Sequence, residues 1–277
     1  MRIVYLGTPA DAVPPLEAIV AAGHEVVLVV TQPDRRRSRG EGTTPSPVRT
    51  AAEALGLPVA TPERSREVVD EVAALEADLG VVVAFGQILP TALLDAIPGG
   101  YVNLHFSLLP RWRGAAPVER AVLAGDAEAG VAVMAVVPEL DAGGTFSVER
   151  TPIADGETAG ELRARLVDLG TRLLVRTLPT VVGRVPDEQQ GEPTYAPKLT
   201  VAEFELDPAA PARVTDRLVR AGNPRPGAWL VHDGVRLKVW RGRVEGERYV
   251  PTEVQPENRP RMTYEAWLAG HRGARPW

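Results

Sequence analysis

The sequence predicts an α/β protein: a doubly wound, Rossmann-like parallel sheet followed by a small C-terminal β-barrel. Short apolar runs alternate with segments of helical period over the first half of the chain, the pattern of parallel strands joined by crossover helices. A stretch rich in Pro, Gly and polar residues at 185–200 then interrupts the alternation. Beyond it come short apolar runs separated by turn residues such as Asp233-Gly234, as in small barrels. The 277 residues suffice for two ordinary domains. The expected division is a catalytic body at 1–184, a linker at 185–205 and a second domain at 206–277.

In chain order, residues 2–6 read as a strand ending at Gly7-Thr8-Pro9, and 10–22 as a helix stopped by Gly23. A strand at 25–31 completes a β-α-β opening. Helices are expected near 48–55, 67–75 and 91–95, and strands near 58–60, at 79–85 and from Tyr101. No Gly-x-Gly-x-x-Gly follows the first strand and no phosphate loop ends in Gly-Lys-Ser/Thr, which removes most support for dehydrogenase and nucleotidase readings. After an apolar run at 131–137, a helix is expected at 158–178. The second domain should hold a helix near 214–221 and strands at 228–232, 235–240 and 249–254.

Composition narrows the chemistry. A hydrophobic content of 44% with 24% charged residues is that of a soluble globular protein. No apolar run reaches a membrane-spanning length, and the chain starts directly in a strand, so a cytoplasmic protein without membrane partners is expected. The absence of cysteine excludes disulfides, thiolate nucleophiles and thiolate-ligated metals. The histidines, His24, His105, His232 and His271, are too scattered for a sequence-local metal site, and no metal is expected. Charge is unevenly distributed: residues 206–277 hold 13 Lys or Arg against 8 Asp or Glu, a net of +5 in a chain of net −5, leaving −10 for residues 1–205. A basic tail on an acidic body suits a partner that is a polyanion, although a solvated basic surface has the same composition.

The most informative stretch is 101–117. Alternation along an extended strand puts Val102, Leu104 and Phe106 on one apolar face and Asn103, His105 and Ser107 on the other. A buried parallel strand should be apolar on both faces, so three polar groups at its carboxyl end either pin the next loop or carry chemistry. In an open parallel sheet ligands bind beyond the carboxyl ends of the strands. Three segments meet that criterion: Gly86-Gln87-Ile88-Leu89-Pro90, residues 107–114, and Glu139-Leu140-Asp141-Ala142-Gly143-Gly144.

The run Asn103-Leu-His105-Phe-Ser107-Leu-Leu-Pro-Arg-Trp-Arg-Gly-Ala-Ala-Pro117, with Leu140-Asp141-Ala-Gly downstream, resembles the signature of the folate-dependent formyltransferases. Its long form resembles in particular those acting on methionyl-tRNA. Further matches are Thr31-Gln-Pro-Asp-Arg35, Val82-Val-Ala-Phe-Gly86, Tyr195-Ala-Pro-Lys-Leu199 and Arg220-Ala-Gly-Asn-Pro224. The resemblance implies formyl transfer from 10-formyltetrahydrofolate to the amino group of initiator methionyl-tRNA, by a monomer. Asn103, His105 and Asp141 would be the catalytic set. Donors from Asn103 and His105 would stabilise the oxyanion, each worth about 3 kcal/mol, while Asp141 would orient His105 and assist removal of the amine proton. Folate would lie against Phe85, Gln87, Ile88 and Leu89, with Ser107, Leu108, Leu109, Pro110 and Glu139 completing the pocket. Arg35, Arg36, Arg37 and Arg39, in a long polar loop, would contact tRNA phosphates. The second domain would be oligonucleotide-binding-like. It departs from the family between Arg243 and Val250, where the chain is short, and at Gly222 and Arg225, where aromatics are usual. Two other readings stay open: a formyltransferase acting on an amino-sugar nucleotide, and a non-catalytic RNA-binding relative.

Overall fold

Buried aliphatic runs form the centre of one large sheet. The structure is a computed structural model that describes residues 1–36, 42–270 and 276–277. Strands β1 (Arg2–Gly7), β2 (Glu25–Val30), β3 (Val59–Ala60), β4 (Leu79–Val83), β5 (Tyr101–His105), β6 (Glu128–Ala135) and β7 (Thr145–Pro152) lie in the order β7-β6-β5-β4-β1-β2-β3. The pairs β1/β2, β1/β4, β2/β3 and β4/β5 are parallel. The helices are α1 (Val13–Ala21), α2 (Pro47–Ala54), α3 (Val69–Ala74), α4 (Thr91–Leu94), α5 (Pro117–Ala124), α6 (Ala159–Thr177), α7 (Ala212–Gly222) and α8 (Tyr264–Ala269). Val4, Leu6, Leu28 and Val30 pack with Val72, Leu93 and Ile97 in a core from which water is excluded. Burial on that scale contributes roughly 1.5–3 kcal/mol per large aliphatic side chain.

The parallel pattern stops at β5. Strand β6 runs antiparallel to it, with Val102 opposite Ala135 and His105 opposite Ala132, so the Rossmann-like parallel sheet is extended at this edge by a reversed strand. Apolar runs report burial and not direction, so the sequence does not encode this reversal. Strand β7 carries no apolar signature for a related reason: in Thr-Phe-Ser-Val-Glu-Arg-Thr-Pro only Phe146 is buried.

Contacts divide the chain into two units, each discontinuous. The first comprises Met1–Arg113, Gly130–Arg150 and Ala164–Thr194, and the second Gly114–Ala129, Thr151–Arg163 and Tyr195–Trp277. In the second unit β8 (Ala228–His232), β9 (Val235–Glu245), β10 (Arg248–Pro256) and β11 (Met262–Thr263) form an antiparallel sheet in sequential order. Asp233 and Gly234, both at positive φ (48° and 77°), make the two-residue turn between β8 and β9. Among the described residues β8 and β11 are edge strands, so the sheet is open where a barrel was expected. Strands β9 and β10 run straight into one another, with Glu245 opposite Arg248; residues 241–248 continue this hairpin and leave no chain for further strands. Gly222 makes room for Phe204, since a Cβ there would lie 2.8 Å from the Phe204 ring. Phe204 thus packs against α7 at the position where this chain has Gly222.

Candidate active site

The site begins at the end of β5. Val102 and Leu104 are fully buried on one face of the strand, while half-buried Asn103 and buried His105 share the other. His105 is 5% exposed, and its Nε2 lies 2.9 Å from the Trp112 carbonyl oxygen. A carbonyl only accepts, so Nε2 carries a hydrogen. Nδ1 faces Asp141 Oδ2 at 3.7 Å, beyond hydrogen-bond range but well within Coulombic reach between side chains only 6% and 14% exposed.

Ser107 does not extend the polar face. The strand ends at His105, and the buried Ser107 hydroxyl donates to the Arg111 carbonyl at 2.6 Å, closing the turn that contains Leu108, Leu109 and Pro110. Leu108 packs against Gly130, where a Cβ would lie 2.3 Å from its Cδ2. Trp112 has φ of +65° and is stacked under the Arg111 guanidinium at 4.3 Å.

Asp141 reaches the imidazole by an indirect path. Because β6 is antiparallel, the segment after it leaves from beside Tyr101, whose carbonyl accepts from Val136 N at 2.8 Å, at the opposite end of β5 from His105. The loop folds back with Asp141 in the left-handed region at φ +49°, which a residue with a Cβ adopts at a cost. Gly143 permits the return: a Cβ would sit 1.9 Å from the Ala135 carbonyl oxygen. Gln189 holds the loop, its Nε2 donating to the carbonyls of Asp141 (2.8 Å) and Gly143 (2.7 Å). Buried Arg113 donates to Gln189 Oε1 from Nε (3.1 Å) and Nη2 (2.7 Å), and its Nη1 meets Glu139 Oε1 at 3.4 Å.

The loop after β4 is tied to the ends of neighbouring strands. The Phe85 ring is in the core, and its carbonyl accepts from Thr8 Oγ1 (2.8 Å) and Gln32 Nε2 (2.9 Å). The Gln87 side chain bonds Ser65 N and the Pro62 carbonyl, and the Ile88 carbonyl accepts from Ser65 Oγ. Leu89 is buried, whereas Ile88 is 85% exposed and Leu140, on the Asp141 loop, 59% exposed. Arg35 and Arg36 pair as a short strand with Thr44 and Thr43; Arg37 and Arg39 lie outside the described residues. Among those residues no group of three or more His, Asp or Glu is arranged to hold a metal ion.

Residues 1–178 match the family model for formyl transferase, and 198–251 that for formyl transferase, C-terminal domain. The methionyl-tRNA formyltransferase of Heliobacterium modesticaldum is 48% identical over 251 residues, 89% of this chain and 79% of that protein. The chain belongs to the formyl transferase family, in its methionyl-tRNA branch. The methionyl-tRNA formyltransferase of Moorella thermoacetica is 42% identical over 98% of this chain and 96% of its own length. A solved methionyl-tRNA formyltransferase from Clostridium thermocellum shares the fold at a TM-score of 0.63, with 14% identity over 92% of this chain and 98% of that one. Within this formyl transferase, sequence reasoning passed over Arg113, Gln189 and the Trp112 carbonyl. Arg113 could have been singled out as an arginine inside an otherwise apolar motif. Gln189 carries no local signal, because its partners are backbone carbonyls 46 and 48 residues away.

Proposed function

We propose that this formyl transferase moves a formyl group from 10-formyltetrahydrofolate to the α-amino group of methionyl initiator tRNA, as a cytoplasmic monomer serving translation initiation. The observation that carries the reading is the pairing of His105 with Asp141 next to Asn103, in a chain related over most of its length to methionyl-tRNA formyltransferases. Bound 10-formyltetrahydrofolate supplies an activated formyl carbon. Asn103 and His105 donate to the formyl oxygen as negative charge grows on it, each contributing about 3 kcal/mol. His105 Nε2 exchanges the Trp112 carbonyl for that oxygen; both are acceptors, so the ring keeps its hydrogen. Asp141 orients the ring from the Nδ1 side and takes the proton released by the amine, directly or through water; as the formyl C–N10 bond breaks, N10 takes up a proton and tetrahydrofolate leaves. Attack is direct, with no covalent enzyme intermediate.

Exposed Ile88 and Leu140 suit the flat face of a pterin, and the proposed folate pocket is Phe85, Gln87, Ile88, Leu89, residues 107–110 and Glu139. Arg35, Arg36, Arg37 and Arg39 are proposed to meet tRNA phosphates, with the second unit acting as a reduced counterpart of an oligonucleotide-binding barrel. The reading is tested by formyl transfer to methionyl initiator tRNA, uncharged tRNA and an amino-sugar nucleotide, with His105→Ala as control. Transfer to charged tRNA alone is expected. Transfer to the sugar alone would replace the acceptor, and no transfer to any acceptor would leave an RNA-binding relative.

A further inference from the structure

We infer that Gln189 is a positioning residue for Asp141, acting through the backbone of the loop that carries it. The inference rests on the reading of Asp141 as the group that orients His105. The loop starts at the far end of β5 and puts Asp141 at φ +49°, a conformation that persists only where surrounding contacts enforce it. Gln189 supplies two such contacts at and just after the strained residue, one N–H to the Asp141 carbonyl and one to that of Gly143. Its Oε1 accepts from Nε and Nη2 of Arg113. A carboxamide has two donors and two acceptor positions, and all four are used.

The segment bearing Gln189 also reaches the other side of the imidazole. Thr194 Oγ1 accepts from Trp112 N at 2.9 Å, and the Thr194 carbonyl accepts from Arg113 N at 2.9 Å. Trp112 is the residue whose carbonyl meets His105 Nε2. One short segment therefore holds Asp141 on the Nδ1 side and Trp112 on the Nε2 side. A shift of about an ångström at a reacting group can cost on the order of a hundredfold in rate.

The test compares Gln189→Leu and Gln189→Glu in the full-length enzyme. Glutamate keeps the acceptors for Arg113 but loses both N–H donors, so both variants should show the same defect. The expected result is a fall in kcat for methionyl-tRNA of about 10- to 100-fold, with KM for both substrates within about twofold. Hydrogen–deuterium exchange at 139–144 should rise at least about tenfold while the rest of the chain is unchanged. In an Asp141→Asn background, Gln189→Leu should cost less than about twofold more, since the two residues act as one unit. Wild-type kcat in both Gln189 variants, full additivity with Asp141→Asn, or unchanged loop exchange would overturn the inference. Wild-type kcat in Asp141→Asn alone would instead overturn the reading of Asp141 beneath it.

Discussion

His105 is gripped at both nitrogens, and the two grips differ in kind. The Nε2 contact is a hydrogen bond of 2.9 Å that fixes where the hydrogen sits; the Nδ1 contact, at 3.7 Å, is electrostatic and tolerates small displacements of the ring. The proposed exchange of the Trp112 carbonyl for the formyl oxygen uses the first and leaves the second intact. In the same proposal Asn103 is the other donor, two residues earlier on the same face. Replacing either Asn103 or His105 with Ala should lower kcat by about 100- to 1000-fold, with the KM for 10-formyltetrahydrofolate little changed. Because both donors serve one oxygen, the double variant should lose much less than the product of the single losses. Single-turnover formylation of methionyl-tRNA measures both effects.

At the scale of elements, α6 shows how the ends of helices are stabilised. Thr158 precedes its first residue, and Thr158 N and Oγ1 donate to Glu161 Oε2 at 2.9 and 2.7 Å, while Glu161 N donates to Thr158 Oγ1 at 3.3 Å. This is a capping box, and such caps contribute about 1 kcal/mol. The Thr158 backbone N–H, followed by Arg241 and the Thr158 hydroxyl, holds the Glu161 carboxyl down at about 2, from an ordinary 4.5. The folded state therefore binds the proton less readily than the unfolded chain, so this stabilisation is present above about pH 4.5 and is lost as pH falls toward 2. Glu161 is half exposed, which keeps the effect modest. Glu161→Gln should lower Tm by a few degrees at pH 7, and thermal melts should show the gap closing between pH 4.5 and 2. The start of α6 was legible because Thr-x-x-Glu is a local signal, as were β1, β2 and β4, whose buried aliphatic runs have no competing reading. The direction of β6 was not legible, since reversing a strand changes its partners without changing its apolar pattern. The course of the Asp141 loop depends on that direction, so Asp141 could be matched to a family motif but its route to His105 could not be traced.

For the whole molecule, the main question is how RNA is met. Trp229 and Trp240 are tryptophans of the second unit's sheet, but Arg236 lies 3.9 Å over the first ring and Arg261 3.9 Å over the second. A nucleobase would have to displace a guanidinium before it could stack. A cleft of about 650 Å³ in this unit includes Arg213, Arg217 and Arg220 in its lining but also Asp126, Asp155 and Asp216, and Arg220 is paired with Asp216. Ionic contact with phosphates fits these observations better than stacking, and the arginines proposed for it are those of the first unit's loop. KM for tRNA should then rise steeply with salt. Changing Arg35, Arg36, Arg37 and Arg39 together to Ser should raise it further and flatten the log–log salt dependence by about 0.7–0.9 for each phosphate that is no longer neutralised, leaving folate binding unchanged; an unaltered salt slope would exclude the loop from the interface. The composition of the first unit bears on how the protein is made. Its last segment is Ala164–Thr194, so a chain growing from its amino end carries Asn103, His105 and Asp141 long before it carries Gln189 and Thr194. The nascent polypeptide has the proposed catalytic set early and the residues that contact the Asp141 loop and Trp112 late. A fragment cut at residue 184 would stop at that unfinished stage, without the Gln189 and Thr194 that belong to the first unit.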